Sequence, residues 1–411
     1  MKAGWEVRSL DEVAGQTLGK MLDKSKNRGT LRPYLRNLNV RWFDFDLTDV
    51  QEMRFEDHEL DRYSARKGDL VICEGGYPGR AAIWPNEEPI FLQKALHRVR
   101  FNEPERANWF LYYLMLREAD GSLKSHFTGT GIQHFTGQSL RRVRFPLPPL
   151  AEQQRIVSIL NEAFEGIDTA VENAEKNLAN ARELFDSYLN SVFIQKGESW
   201  IGKRLEDTVE KTCSLSYGIV QPGEDVNGGL PIVRPTDLHS KIIGLSGLKR
   251  IDPALADGYK RTKLHGGELL LCVRGGTGSV SIAAKELAGS NVTRGIVPIR
   301  FDASVVVQEF GYFAFISKGV QDQIRAATYG AALMQINIRD LRKVSLDLPP
   351  LDVQKNLLER LDDISAEVER LVSIYEQKAA ALAELKQAIL HKAFAGELTA
   401  KPEKALQDAA A

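Results

Sequence analysis

The sequence predicts an α+β protein built as a tandem duplication, in which a mixed α/β domain and a long helix occur twice and the two helices pair as an antiparallel coiled coil. Three observations predict it. The chain matches itself at a spacing of about 200 residues; each copy opens with short apolar and β-branched runs divided by Gly, Pro and Asn; and each closes on a heptad pattern far longer than an ordinary globular helix.

The repeat is clearest at SLRRVRFPLPPL (139–150), which aligns with DLRKVSLDLPPL (340–351) without a gap at an offset of 201. Upstream, GDLVIC (68–73) followed by Gly76 and Gly79 aligns with GELLLC (267–272) followed by Gly275 and Gly278 at 199, PYLR (33–36) aligns with PIVR (231–234) at 198, and Trp5 with Leu10 aligns with Trp200 and Leu205 at 195. A drifting offset means short loop insertions between two copies of one unit. Within each copy the runs at 69–73, 268–273 and 296–300 read as strands, and 109–118 reads as a helix.

Both long helices open at a Pro-Pro-Leu step, 148–150 and 349–351, where proline ends any upstream helix and its fixed φ suits a helix entrance. The first carries Leu160, Phe164, Ile167, Val171, Ala174, Leu178, Ala181, Phe185, Tyr188 and Val192 at alternating steps of four and three. The second carries Leu357, Leu361, Ile364, Val368, Leu371, Tyr375, Leu382, Leu385 and Ile389, with one polar break at Lys378. About 44 helical residues reach about 66 Å, longer than a small domain is wide. The expected division is therefore 1–147, a helix over 148–197, 198–348, and a second helical segment over 349–411.

Composition excludes several classes. With 43% hydrophobic and 27% charged residues the chain is globular rather than disordered. It has no apolar run of about 18 residues, and MKAGWEVRSLDEV lacks the apolar core of an export signal, so no membrane partner and a cytoplasmic location are expected. Three dispersed cysteines, Cys73, Cys213 and Cys272, without a CxxC pair, argue for reduced core thiols. The net charge of −1 hides an alternation: 151–197 holds 4 Lys/Arg against 8 Asp/Glu and 351–411 holds 8 against 11, leaving each of the two remaining blocks at +3.

No P-loop GxxxxGK[ST], no [DN]PP[YF] methyltransferase element and no HExxH occurs, so nothing in the residues argues for catalysis or a metal. The acidic pair Asp44 and Asp46 is of a kind that arises freely among 55 acidic residues. Binding features say more. Glycine loops follow the buried strand in both copies, at 74–80 (EGGYPGR) and 274–279 (RGGTGS), where they serve either a tight turn or close approach of a partner. The basic loop 24–28 (KSKNR) suits phosphates or is plain solvated surface, and GTGIQHFT (129–136) aligns with GAALMQIN (330–337).

The segments LPPLAEQQRIVSIL (147–160), LPPLDVQKNLLERL (348–361) and LKQAILHKAFAGEL (385–398), with the duplicated GDLVIC and GELLLCVRGGTG runs, resemble the specificity subunit of type I restriction-modification systems across essentially the whole chain. The second copy departs from the pattern at Val353 and Lys355, where the first has Glu152 and Gln154, but keeps Gln354 against Gln153. The resemblance implies two target-recognition domains that each read half of a bipartite, asymmetric site in double-stranded DNA, spaced by the helices. It also implies two methyltransferase and two restriction motor subunits as partners, with S-adenosylmethionine, ATP and Mg bound by those partners and no cofactor here. A solitary restriction-type nuclease and a plain coiled-coil adaptor are the alternatives. Because Gln and Asn pair with adenine and Arg with guanine, Arg80, Gln133, His134, Arg274, Gln335 and Asn337 are base-reading candidates, and the expected DNA-binding residues further include Lys24, Lys26, Arg28, Arg36, Gly76 and Tyr77 in the first copy and Arg234, Gly276, Thr277 and Arg294 in the second.

Overall fold

The computed structural model describes residues 4–23, 25–330 and 334–399. The chain divides into two compact units, Met1–Ala174 with Gln377–Ala411, and Glu175–Glu376.

In the first unit, strand Leu70–Cys73 is central to a four-stranded sheet of order Ala14–Leu18, Leu96–Phe101, Leu70–Cys73, Ala81–Ile83, all antiparallel. All four of its residues are buried because the strand is covered on both faces. Leu70 and Ile72 join the main core, which includes Trp109, Phe110 and Leu114 of helix Arg106–Ala119. Val71 and Cys73 face a second cluster with Leu35, Phe45, Trp84 and Leu92. A second sheet carries Gln51–Phe55, Thr30–Leu35, Ile90–Leu92 and Ser64–Ala65. Glu6–Ser9 pairs antiparallel with Arg144–Leu147, bringing the start of the domain to the entrance of the helix Leu150–Ile194.

The second unit repeats the plan. Strand Leu269–Cys272 lies between Val280–Ala283 and Ile296–Ile299 in a four-stranded sheet edged by Ile242–Ile243, and Leu230–Val233 lies between Lys249–Ile251 and Asn291–Val292 in a three-stranded one. Ile201–Arg204 pairs antiparallel with Ser345–Leu348 ahead of the helix Leu351–Ala395. The aligned PYLR and PIVR segments end alike: Arg36 N donates to Asn39 Oδ1 at 2.9 Å and Arg234 N to Asp237 Oδ2 at 2.7 Å, each opening a one-turn 3₁₀ helix.

Each unit holds parts of both long helices. In the first, Leu160 and Phe164 share the core with Leu390, Ala393 and Phe394; in the second, Leu189 and Phe193 share it with Leu361. Pairing is antiparallel, with Asp168 meeting Lys386 at 2.6 Å in the first unit and Arg182 meeting Glu376 at 3.5 Å in the second. The expected seam holds at Leu160, Phe164, Ile167, Ala174, Ala181, Leu361 and Val368, all buried. One position is corrected: Leu385 is 47% exposed, and Lys386 takes its place with Nζ 4.6 Å from the Phe164 ring centroid. Tyr188 and Val192 are half-buried against the core of the second unit, in which Leu189 and Phe193 are buried beside them. An α-helix drifts about 20° per heptad against a strict seven-residue repeat, so over 45 residues the apolar face moves on by one position.

Both helix entrances are held by the motif glutamine. Gln153 Nε2 donates to Pro148 O at 2.6 Å, and Gln354 Nε2 donates to Pro349 O at 2.8 Å and to Val305 O at 2.9 Å.

Candidate nucleic-acid interface

The glycine loop of each domain is joined to the segment that follows the domain's helices. In the first, the turn after Cys73 closes with Gly79 N on Cys73 O and Arg80 N on Tyr77 O, and it pairs with a hairpin in which Thr128 and His134 exchange both main-chain bonds at 2.9 and 2.8 Å. Gly75 bridges His134, and Phe135 N donates to Glu74 O at 2.7 Å. In the second, Gly278 N bonds Cys272 O, Ser279 N bonds Gly276 O, Arg274 bridges Gln335, Tyr329 pairs with Gln335, and Ile336 N donates to Val273 O. Segments more than 50 residues apart in sequence thus form one edge, and they do so twice.

Side chains on the first edge are ordered by local partners. The Arg80 guanidinium stacks over the Tyr77 ring at 3.8 Å and donates through Nη2 to Asn37 O at 2.9 Å, while Asn37 Nδ2 donates to Gly75 O at 3.1 Å. Gly76 has φ +78, which favours glycine, and a Cβ there would lie 1.9 Å from Asn37 Nδ2 and displace that side chain from its bond to Gly75 O. His134 Nδ1 lies 3.3 Å from Glu74 Oε2, and Gln133 is exposed. Beneath the edge, buried His97 has Nε2 2.8 Å from Phe135 O and Nδ1 2.7 Å from Gln16 Nε2, and Gln16 Oε1 accepts from Arg141 at 2.9 Å. A carbonyl on one ring nitrogen and an amide donor on the other suit the neutral imidazole, and burial pushes its pKa below the ordinary value. Burial pushes the Cys73 thiol up to about 12, which makes it an inert packing group.

On the second edge Thr277 Oγ1 donates to Met334 O at 3.0 Å, beside Gly275 N on the same oxygen. Gly276 is exposed and has no close neighbour of the kind Gly76 has. Arg274 is half-buried and Arg294 exposed, and neither forms an ion pair among the described residues. Arg294 adjoins the edge through Gly295, whose carbonyl accepts from Val273 N.

The other expected residues lie apart or are engaged within the fold. Arg36 bonds Asp49 Oδ2 at 2.6 Å and its main-chain oxygen at 2.8 Å, and this bonding holds the Asp49 carboxyl below the usual range. Arg234 grips Asp237 through Nε and Nη2 at 3.2 and 2.8 Å. Asn337 caps the helix Ile338–Leu341, accepting from Asp340 N at 2.9 Å, as Thr136 caps Gly137–Arg141. Arg28 bonds Ser25 O and Lys26 pairs with Asp23, both within their own loop. Lys24 and residues 331–333 lie outside the described residues. Asn37 and Gln16, which support the edge, were missed, and Glu74 and Met334 lie in the quoted segments 74–80 and 330–337 without being singled out; Asn37 had a signal in its place beside Arg36 in the aligned segment.

Among the described residues no group of three or more His, Cys, Asp or Glu could hold a metal ion, and no helix is long and apolar enough to cross a membrane. A family model for the type I restriction modification DNA specificity domain matches residues 2–180 and 209–376. The chain belongs to the type I restriction-modification specificity family. As a member it is a specificity component, not a catalytic one. The type I restriction enzyme EcoBI specificity subunit of Escherichia coli is 24% identical over 97% of this chain and 87% of its own length. A putative MjaX specificity subunit from Methanocaldococcus jannaschii is also 24% identical, over 97% and 94%. The fold of this specificity subunit is shared with a chain of a type I restriction-modification system studied for its complex assembly and conformational transition (TM-score 0.73, 21% identity, 97% and 99% covered). It is shared too with the HsdS subunit from Thermoanaerobacter tengcongensis (TM-score 0.58, 21% identity, 97% and 98% covered).

Proposed function

We propose that this specificity subunit reads a bipartite, asymmetric site in double-stranded DNA, one half through each edge, and serves as the scaffold on which two methyltransferase and two restriction motor subunits assemble in the cytoplasm. S-adenosylmethionine, ATP and Mg belong to those partners. One observation carries the reading: the same framework of bridges is built twice while the side chains at its tips differ, with Tyr77, Arg80, Gln133 and His134 on one edge and Thr277, Arg274, Arg294 and Gln335 on the other. A duplicated frame with unlike tips suits two half-sites of unlike sequence, since amide and guanidinium groups pair bidentately with adenine and guanine at about 1–3 kcal/mol of discrimination each. Arg36, Arg234 and Asn337 then shape the frame, and Lys24, Lys26 and Arg28 are left for phosphates. The long helices set the gap between the halves.

The test is methylation mapping with the cognate methyltransferase. Replacing Gln133 and His134 together by alanine should relax the preference in one half-site only, and replacing Arg274 and Gln335 should relax the other. If either pair changes both halves, or neither pair changes any, the assignment of one edge to one half is wrong.

A further inference from the structure

We propose that Ile132 and Met334 are specificity-determining residues that contact the 5-methyl group of thymine in the major groove, one in each half-site, an inference that rests on the DNA-reading role proposed above. Ile132 is 74% exposed, the most exposed large apolar side chain among the described residues. Its position is not loose. The hairpin is closed by the paired bonds of Thr128 and His134, and its turn passes through Gly129 at φ +103, where a Cβ would lie 2.3 Å from Ile132 O. Met334, 47% exposed, has its main chain clamped by two donors, Gly275 N and Thr277 Oγ1, each at 3.0 Å from its oxygen.

Each of these apolar side chains directly precedes an amide, Gln133 or Gln335, on the edge formed with the glycine loop. A protein partner would call for a broad apolar patch around such a residue, whereas each edge adds only one exposed aromatic, Tyr77 or Tyr329, among imidazole, amide and guanidinium groups. That mixture matches a base-pair edge. An amide takes adenine N6 and N7, and the thymine of that pair or of its neighbour presents a methyl group in the same groove. Each half-site should therefore contain an A·T pair whose methyl group is felt.

The experiment uses the full-length subunit assembled with its methyltransferase and duplexes carrying the mapped site, in which each thymine is replaced singly by deoxyuridine. One replacement in each half should weaken binding by the wild-type complex about fourfold, the equivalent of about 0.8 kcal/mol for one buried methyl-sized group. Ile132→Ala should bind the thymine duplex about as weakly and lose its response to uracil in one half, and Met334→Ala should do so in the other. Ile132→Val should retain part of the response. Specific binding with no uracil-sensitive position, or with sensitivity undiminished in Ile132→Ala, overturns the inference and leaves the DNA-reading role standing. Strong 2-aminopurine fluorescence at a step beside the hairpin, lost in Ile132→Ala, would mean insertion between bases and would equally overturn methyl contact. If the complex shows no preferred sequence, the DNA-reading role itself fails, and this inference with it.

Discussion

Gln354→Met should cost the second unit about 3 kcal/mol, whereas Gln153→Met should cost the first less than about 1 kcal/mol. The two glutamines align in the repeat and both are buried, but they are bonded differently. Gln354 donates to Val305 O and Pro349 O and accepts from Val307 N at 2.9 Å. Gln153 donates only to Pro148 O, and its buried Oε1 has no partner among the described residues. Each neutral hydrogen bond contributes about 1 kcal/mol net, so three set the loss at Gln354; at Gln153 one lost bond is offset by removing a buried carbonyl that costs desolvation. Methionine keeps the length of the side chain and takes away only its polar atoms.

Urea unfolding followed by hydrogen exchange separates the units: amides at 305–307 report the second and those at 143–145 the first. With a denaturant slope of roughly 2–3 kcal/mol/M, Gln354→Met should lower the midpoint of the second unit by about 1 M and leave the first unmoved. Equal shifts for the two variants in their own units, or a larger one for Gln153→Met, would refute this account of the motif.

Burial lowers the pKa of His97 from 6.5, so the unfolded chain takes up this proton first as pH falls. The stability it supports is complete above about pH 6.5 and declines below it, at up to about 1.4 kcal/mol per pH unit until the folded state also protonates. Parallel melts of wild type and His97→Gln between pH 7 and 5 should show a shallower decline in the first unit of the variant, where His126, its pKa also lowered by burial, still contributes. Phe394 lies 4.3 Å from Trp109 and 5.5 Å from Tyr113 between ring centroids, so Phe394→Ala should cost the first unit about 3–5 kcal/mol. Phe193→Ala, beside Trp200 and Phe310, should do the same to the second, and hydrogen exchange showing the reverse assignment would contradict the packing.

What the residues disclosed beforehand follows from their periodicity. A buried strand such as 70–73 needs only a short apolar run, and a helix entrance needs only the proline that blocks what precedes it, so both are written locally. The seam of the second long helix departs from the expected phase at Leu385, because that phase depends on helical drift summed over many turns and on what the last turn meets. Side-chain commitments were harder still. Arg36, Arg234 and Asn337 are expected at DNA by residue type, and the partners they bond within the fold, Asp49, Asp237 and the Asp340 amide, are chosen by turns that sequence spacing does not announce. The joining of the glycine loop to the hairpin depends on two isolated bridges, below the length at which any strand pattern becomes visible.

Divergence between the copies has two physical sources. At the helix entrance, Glu152 accepts from Trp5 Nε1 at 3.3 Å and from Thr399 Oγ1 at 2.8 Å, joining two segments far apart in sequence. In the second unit the corresponding junction is covalent: the helix ending at Ile194 runs on directly to Trp200, which packs against Phe193 and Phe310. No side-chain tie is needed, and Val353 stands where Glu152 does in the first copy. The departure of the second copy from the motif is thus a consequence of chain connectivity and says nothing about recognition. At the edges the situation is inverted, since main-chain bridges are kept and only tip side chains change. A frame held by backbone bonds tolerates exchange of its tips at little cost in stability, and that separation of framework from tip is what the proposed reading of two unlike half-sites requires.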